Sequence, residues 1–188
     1  MNPGWNEPSS NVVRNTLFKE AMMLTQKEFL AKVTGIYKSW LPARAIVVNA
    51  LTKGSSSSSK SEGEEKSTKK LKISDEIDNQ LLILSEFCPW IDHLFEIEQE
   101  NNIVGQFKYC LFPDSSGGFR VRAVPEAPGS FASRKALPTP WRALRDEELS
   151  KLTGIDGCVF VHNSGFIGGN RTFEGALEMA RAAIRFEE

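Results

Sequence analysis

The residues best suited to chemistry lie near the C-terminus, in Ser164-Gly165-Phe166-Ile167-Gly168-Gly169-Asn170-Arg171-Thr172. They follow a buried-strand signal from Gly157 to His162 and precede a helical pattern from Phe173 to Phe186. A helix start presents N–H groups without intrahelical partners and about half a positive charge, and glycines let an anion approach the backbone. Arg171 adds a two-pronged donor suited to phosphate or carboxylate. The spacing matches neither the P-loop nor GxGxxG. The same residues also admit a purely structural reading. The glycines then supply positive φ, Thr172 or Asn170 caps the helix, and Glu174 complements its first turn. His162, at the strand end, is either a ligand contact or a histidine bonded within its own loop. Both readings stay open at this level.

Other reactive pairs are excluded by geometry or by number. Cys158 and His162 share a strand face but lie about 13 Å apart at roughly 3.3 Å per residue, too far for an activated thiol. Asp92-His93 falls in a helical pattern, and Asp75, Asp78, Asp114, Asp146 and Asp156 are scattered, with only two histidines in the chain. A two-metal centre needs several carboxylates and imidazoles converging on ions about 3.5–4 Å apart. We therefore expect no metal ligands and no catalytic residues in this chain. Arg120, Arg122, Arg134, Lys135, Arg142 and Arg145 surround Phe131 and Trp141. Such a cluster either grips single-stranded nucleic acid or forms a solvated rim with Trp141 tucked in as an anchor.

The elements that must hold these residues read as a layered α/β (α+β) domain with a mixed sheet. Phe18, Met22, Phe29, Val33, Ile36 and Trp40 recur at helical spacing, and Pro42 is expected to interrupt that helix at Leu41. A shorter helix resumes through Ala45, Val48 and Leu51. Residues 53–72 hold five consecutive serines and mixed lysine and glutamate, the composition of a disordered surface loop. Leu81 to Leu84 is a short apolar run, and Ile91 to Glu100 a helix. Phe107–Phe112 and Gly118–Val124 are two strands joined by the turn 113–117. Asp146 to Lys151 is a short helix stopped near Gly154. Strand, glycine loop and helix close the chain, with Phe173, Leu177, Ala180 and Ile184 facing inward. This gives a helical segment over 1–52, the loop 53–72 and an α/β domain over 73–188.

Composition narrows the class. With 188 residues, 40% hydrophobic, the chain is long enough for a real core. A net charge of −1 makes no global case for nucleic acid, so any such case rests on a local patch. Three cysteines, odd in number and far apart, fit reduced buried thiols in a cytosol-like compartment. No apolar run suits a membrane span, and Met1-Asn2-Pro3-Gly4 opens neither a secretory signal nor a transit peptide.

Four stretches in order carry a family resemblance. They are Trp40-Leu41-Pro42-Ala43-Arg44; Cys88-Pro89-Trp90 with Asp92-His93-Leu94; Val124-Pro125 through Ser130-Phe131 and Ser133-Arg134 to Pro140-Trp141-Arg142; and Gly157-Cys158-Val159-Phe160-Val161-His162 through Gly168-Gly169 to Leu177. The chain resembles the Myg family (melanocyte proliferating gene protein) of the DHH phosphoesterase superfamily, from Asn2 to about Arg181 outside 53–72. The resemblance implies a metal-dependent phosphodiesterase of the manganese type, an RNA exonuclease acting from the 3′ end in nucleus and mitochondrion. The family's metal motifs, His-Asn-Gly…Phe-His-x-Asp-Glu and Asp-His-His, belong to an N-terminal lobe and do not occur here. The resemblance therefore covers the C-terminal half, the substrate lobe, and leaves the divalent metal to the missing lobe, which becomes an implied partner. Carried over, Gly168, Gly169, Asn170, Arg171 and Thr172 are substrate contacts, with His162 and Ser164 beside them. Some relatives have His at the position of Asn170, so no acid–base role follows there. The expectation is a half-enzyme that binds RNA or nucleotide phosphate and is inactive alone. Its rival is a non-catalytic protein-interaction module or a truncated gene product.

Overall fold

A computed structural model of the chain describes residues 3–6, 10–55 and 77–187. Most of the expected disordered loop, from 56 to 72, lies outside the described residues. The chain divides into two units, Met1–Pro42 and Ala43–Glu188.

The first unit is mainly α1 (Asn11–Gly35), whose N-cap Ser10 accepts a hydrogen bond from the Val13 N–H at 3.2 Å. The helix forms as its periodicity predicts, but it contains no buried residue. Phe18, Met22, Phe29, Val33 and Ile36, which recur at helical spacing, are all exposed. Periodicity marks the face a helix can bury, not the surface that covers it. The break at Pro42 also takes another form. Leu41 stays helical, at φ −58° and ψ −46°, and the preceding turn Ile36–Trp40 widens into a π-helix in which the Leu41 N–H donates to Ile36 O. Pro42 lacks an N–H and crowds the carbonyl four residues back, and a widened turn accommodates that.

The second unit is built on a five-stranded mixed sheet whose strands, β1 (Leu81–Ile83), β2 (Tyr109–Pro113), β3 (Phe119–Ala123), β4 (Cys158–Val161) and β5 (Ile167–Asn170), lie in the order β1-β2-β3-β5-β4. From α2 (Leu41–Ser55) the described chain passes to β1, α3 (Ile91–Glu100) and β2, which pairs parallel to β1. Then come β3, α4 (Asp146–Thr153), β4, β5 and α5 (Phe173–Arg185), with all remaining pairings antiparallel. Strand alternation sends Tyr109, Leu111, Val121 and Ala123 into one core, with Leu149 of α4 and Ala176, Leu177, Met179, Ala180 and Ala183 of α5. Cys110, Phe112 and Leu82 point the other way, into a second core with Ala43 and Val47 of α2 and Leu94 and Ile97 of α3. The layered α/β reading holds. On the second face, the buried core draws on β1, β2 and Val124 just past β3 but on no residue of β4 or β5.

One element differs from expectation in a way that matters for the site. The segment expected as a glycine-rich loop from Asn163 to Asn170 is a turn followed by a strand. The His162 N–H donates to Ile167 O at 2.9 Å and the Gly165 N–H to His162 O at 2.8 Å, closing a β4–β5 hairpin. The strand Ile167-Gly168-Gly169-Asn170 then lies between β3 and β4. Almost nothing in its own composition favours a strand. Its two neighbours supply the pairing that its side chains do not.

Candidate functional site

The hairpin divides the seven expected contact residues between its two ends. His162 and Ser164 stand at the turn, where the Ser164 N–H donates to His162 Nδ1 at 3.2 Å and the Ser164 hydroxyl lies 2.9 Å from the same atom. An Nδ1 that accepts a backbone hydrogen bond leaves the proton of the neutral ring on Nε2. Phe166 packs edge-on to the imidazole, 4.7 Å between ring centroids. Arg171 and Thr172 stand at the far end, four strand residues from Ile167, or about 13 Å. No single phosphate spans that distance.

The residues between the two ends are absorbed by the fold. A Cβ on Gly168 would meet Leu137 Cδ1 at 3.0 Å and Phe160 O at 3.1 Å. Asn170 is fully buried and works as a clasp: its Nδ2 donates to Asp156 O at 2.8 Å, and its Oδ1 accepts from the Thr172 N–H at 3.0 Å. Thr172 is the N-cap of α5, accepting from the Gly175 N–H at 3.0 Å. Thr172 therefore caps the helix, whereas among the glycines of 164–172 only Gly165 has positive φ, and Gly168 and Gly169 lie in the strand β5. Arg171 differs from them. Its backbone is fixed by its N–H donating to Gly157 O at 2.9 Å, while its side chain is 72% exposed and only 3.9 Å from Asp146 Oδ1 at the closest.

Arg171 opens onto a recess of about 170 Å³ that it shares with Asp114, the Ser116-Gly117-Gly118 turn, Arg120 and Val159. Arg120 is built in from three sides. Gly169 sits opposite it across the β3–β5 pairing, and a side chain there would collide with the guanidinium, so the missing Cβ is what lets Arg120 lie down on the sheet. Its guanidinium carbon is 5.1 Å from the centroid of Phe160, and its Nη2 is 2.5 Å from Asp114 Oδ2. Asp114 is fixed in turn by the Ser116 hydroxyl at 2.7 Å and by the Ser116 and Gly118 N–H groups at 2.8 and 3.0 Å. These bonds, the Ser116 hydroxyl foremost, together with the Arg120 charge outweigh partial burial and hold its carboxyl below the usual range. The pairing of β4 with β5 shifts register between Cys158 and Phe160, a bulge that sets Val159 on the recess wall. The recess thus holds one arginine locked in place and one that is largely exposed and only distantly paired with Asp146. A docked anion would find a fixed positive group and a closing clamp. Sequence spacing named both arginines. It gave no sign that the 113–118 turn belongs with them, because that depends on the β3–β5 pairing.

The rest of the basic cluster is largely structural. Arg134 is buried against Glu98, Lys135 Nζ donates to Phe186 O at 2.9 Å, and Arg142 Nε donates to Leu137 O at 2.9 Å. Trp141 is buried in the first core, so its reading as an anchor is the one realised. Arg122 lies with its guanidinium carbon 5.9 Å from the Trp90 ring, and Arg145 sits 6.0 Å from that of Phe160. His93 is buried, and the Glu96 carboxylate comes no closer than 3.9 Å to its Nδ1, well beyond a metal–ligand distance of about 2 Å. Among the described residues, no group of three or more His, Cys, Asp or Glu side chains could hold a metal ion. Among the described residues, the side chains do not fit the divalent metal that the family resemblance implies. No helix among the described residues is long and apolar enough to cross a membrane.

Comparison with known proteins agrees along nearly the whole chain. The chain is 47% identical to the MYG1 protein of Dictyostelium discoideum over 180 residues, covering 96% of this chain and 49% of that protein. It is 43% identical to a MYG1 protein of Schizosaccharomyces pombe, covering 99% of this chain and 51% of the other. With the human MYG1 exonuclease it shares 41% identity, covering 98% of this chain and 44% of that protein. The chain thus spans about half the length of these curated relatives. No solved structure matches it significantly. The family profile MYG1_exonuc, described as "Uncharacterised protein family (UPF0160)", matches residues 1–184. The chain belongs to the MYG1 exonuclease family.

Proposed function

We propose that this chain is the substrate-binding half of a MYG1-type metal-dependent phosphodiesterase, which holds single-stranded RNA and depends on a separate metal-bearing lobe to cleave it. The observation that carries the proposal is the recess at the end of the β4–β5 hairpin. There Arg120 is pinned over Gly169 by Phe160 and Asp114, and Arg171 is free to close on a phosphate. The names of the rat, mouse, cattle and human relatives, each an exonuclease, support a nucleic-acid substrate. The distance of about 13 Å between Arg171 and the His162–Ser164 turn favours an extended strand over a mononucleotide, because only a strand touches both ends of the hairpin. In this reading Gly168, Gly169, Asn170 and Thr172 act by shaping the strand and the helix start that present Arg171.

Fluorescence anisotropy of a short labelled single-stranded RNA, with Arg171→Ala beside the wild type, tests the assignment. Arg171 makes no close ion pair in the fold, so its removal leaves the thermal midpoint unchanged and weakens RNA binding at least several-fold. Equal affinity in the two proteins removes Arg171 from the site.

A further inference from the structure

A second recess lies along the same strand. β3 places Arg120 and Arg122 on one face, two residues apart, and each lines its own depression. The depression of Arg122 is about 250 Å³ and is walled by Phe87, Pro89, Trp90, Ile91 and Gly129. Trp90 is buried and carries the Arg122 guanidinium over its ring. Phe87 stands at the rim, 62% exposed, although its ring centroid is only 5.1 Å from that of Phe112.

The opposite rim is the loop 125–133. It is closed by the Pro125–Ser133 bridge and by the Glu126 N–H donating to Ala132 O at 2.9 Å. Within it the Ser130 N–H donates to Ala127 O at 3.0 Å, and the Ala132 N–H to Ser130 Oγ at 3.1 Å. This internally bonded loop turns Phe131, two residues past Gly129, fully into solvent. A single exposed phenylalanine calls for no explanation. Phe87 on the rim of a depression floored by an indole and a guanidinium, with Phe131 exposed two residues beyond the lining residue Gly129, does.

We propose that this depression is a base-stacking platform. Bases of a single-stranded nucleic acid stack on Phe131 and Phe87 while its phosphates run toward Arg120 and Arg171. The inference rests on the RNA-binding reading above and adds the part of the substrate that is recognised here. The choice of occupant follows from charge. The Arg122 depression also contains Asp92, so its two charges cancel and it suits an uncharged planar group. The Arg120–Arg171 recess is lined by two cations and one carboxylate, Asp114, with Asp146 outside the lining and 3.9 Å from Arg171, and it suits the phosphate. Aromatic faces beside a cation hold any base without reading its edge, so the platform is indifferent to sequence.

Anisotropy with a labelled short single-stranded RNA and an abasic strand of the same length separates the two parts. Phe131→Ala is expected to lower affinity for the base-bearing strand about tenfold, to leave the abasic strand unchanged, and to be rescued by Phe131→Trp. Unchanged affinity of Phe131→Ala for the base-bearing strand overturns the platform, and so does an equal loss on both strands. Equal wild-type affinity for the two strands also overturns it, in favour of a protein contact at these rings, and leaves the phosphate site standing. Wild-type binding to neither strand removes the RNA-binding reading and the platform together.

Discussion

Replacing Glu98 by glutamine tests whether the second core depends on a buried charge pair. Glu98 and Arg134 are only 1% and 8% exposed, and their contact is bidentate, with Arg134 Nη1 and Nη2 at 2.7 and 2.6 Å from the two carboxylate oxygens. The same oxygens accept from the N–H groups of Gly105 and Phe107, both at 3.3 Å. Arg134 also donates to Phe107 O at 3.0 Å and lies with its guanidinium carbon 4.5 Å from the Phe95 ring centroid. Glu98→Gln therefore leaves a desolvated guanidinium without its counter-charge and turns an amide NH₂ toward one of its donors. Removing one partner of such a pair costs about 3–5 kcal/mol. For a domain of this size that is a fall in Tm of roughly 6–20 °C, at about 2–4 °C per kcal/mol. Thermal unfolding followed by circular dichroism reads it. Glu96→Gln serves as control, because Glu96 pairs with Arg44 where both side chains are substantially solvated. That surface pair is expected to be worth about 1 kcal/mol or less. Arg134→Met added to Glu98→Gln restores part of the loss, since it takes away the stranded charge. A Glu98→Gln midpoint no lower than that of Glu96→Gln refutes the reasoning.

Two further predictions concern titration. Burial pushes the Cys110 thiol well above its usual value, and burial followed by the charge of Glu86 raises that of Cys88. With Cys158 buried as well, a thiol reagent at pH 8 should label the folded protein slowly and all three cysteines at once in denaturant; one fast-reacting thiol in the folded protein would contradict this. The depressed pKa of Asp114 means that the folded state binds its proton less readily than the unfolded chain does. Its stabilisation is thus complete above the unfolded carboxylate value of about 3.9 and is lost as pH falls through the lower folded value. Asp114→Asn should lower the urea midpoint at pH 7 and converge with wild type in acid, whereas a pH-independent gap would sink this assignment.

Much of the architecture was legible because local signals agreed with the tertiary outcome. The helix Ile91–Glu100 fits its apolar spacing, and the β2–β3 hairpin shows the alternation of Phe119, Val121 and Ala123 with Arg120 and Arg122. The N-cap at Thr172 was readable from its residue type. The misread elements share a cause, which is that distant chain decides them. Ile167-Gly168-Gly169-Asn170 has the composition of a loop and becomes a strand because β3 and β4 flank it. Arg171 and Arg120 were both visible, yet their common recess depends on Gly169 lying opposite Arg120, a register that no local pattern encodes. Phe131 and Trp141 looked alike as aromatics in a proline-rich stretch. One is fully exposed and the other closes a core, and only packing separates them.

The proposed substrate-binding half holds single-stranded RNA through a few phosphate-contacting arginines without cutting it. Anisotropy of a labelled short RNA titrated with the wild-type chain in manganese, repeated over a range of salt, measures this directly. Two or three neutralised phosphates give a slope of log affinity against log salt of about −1.4 to −2, and Arg171→Ala lowers its magnitude by about 0.7. A substrate-binding half gives that slope with a signal steady in time. A flat titration contradicts it and favours a protein-interaction module, and a rise that decays as the RNA is degraded contradicts it by placing catalysis in this chain.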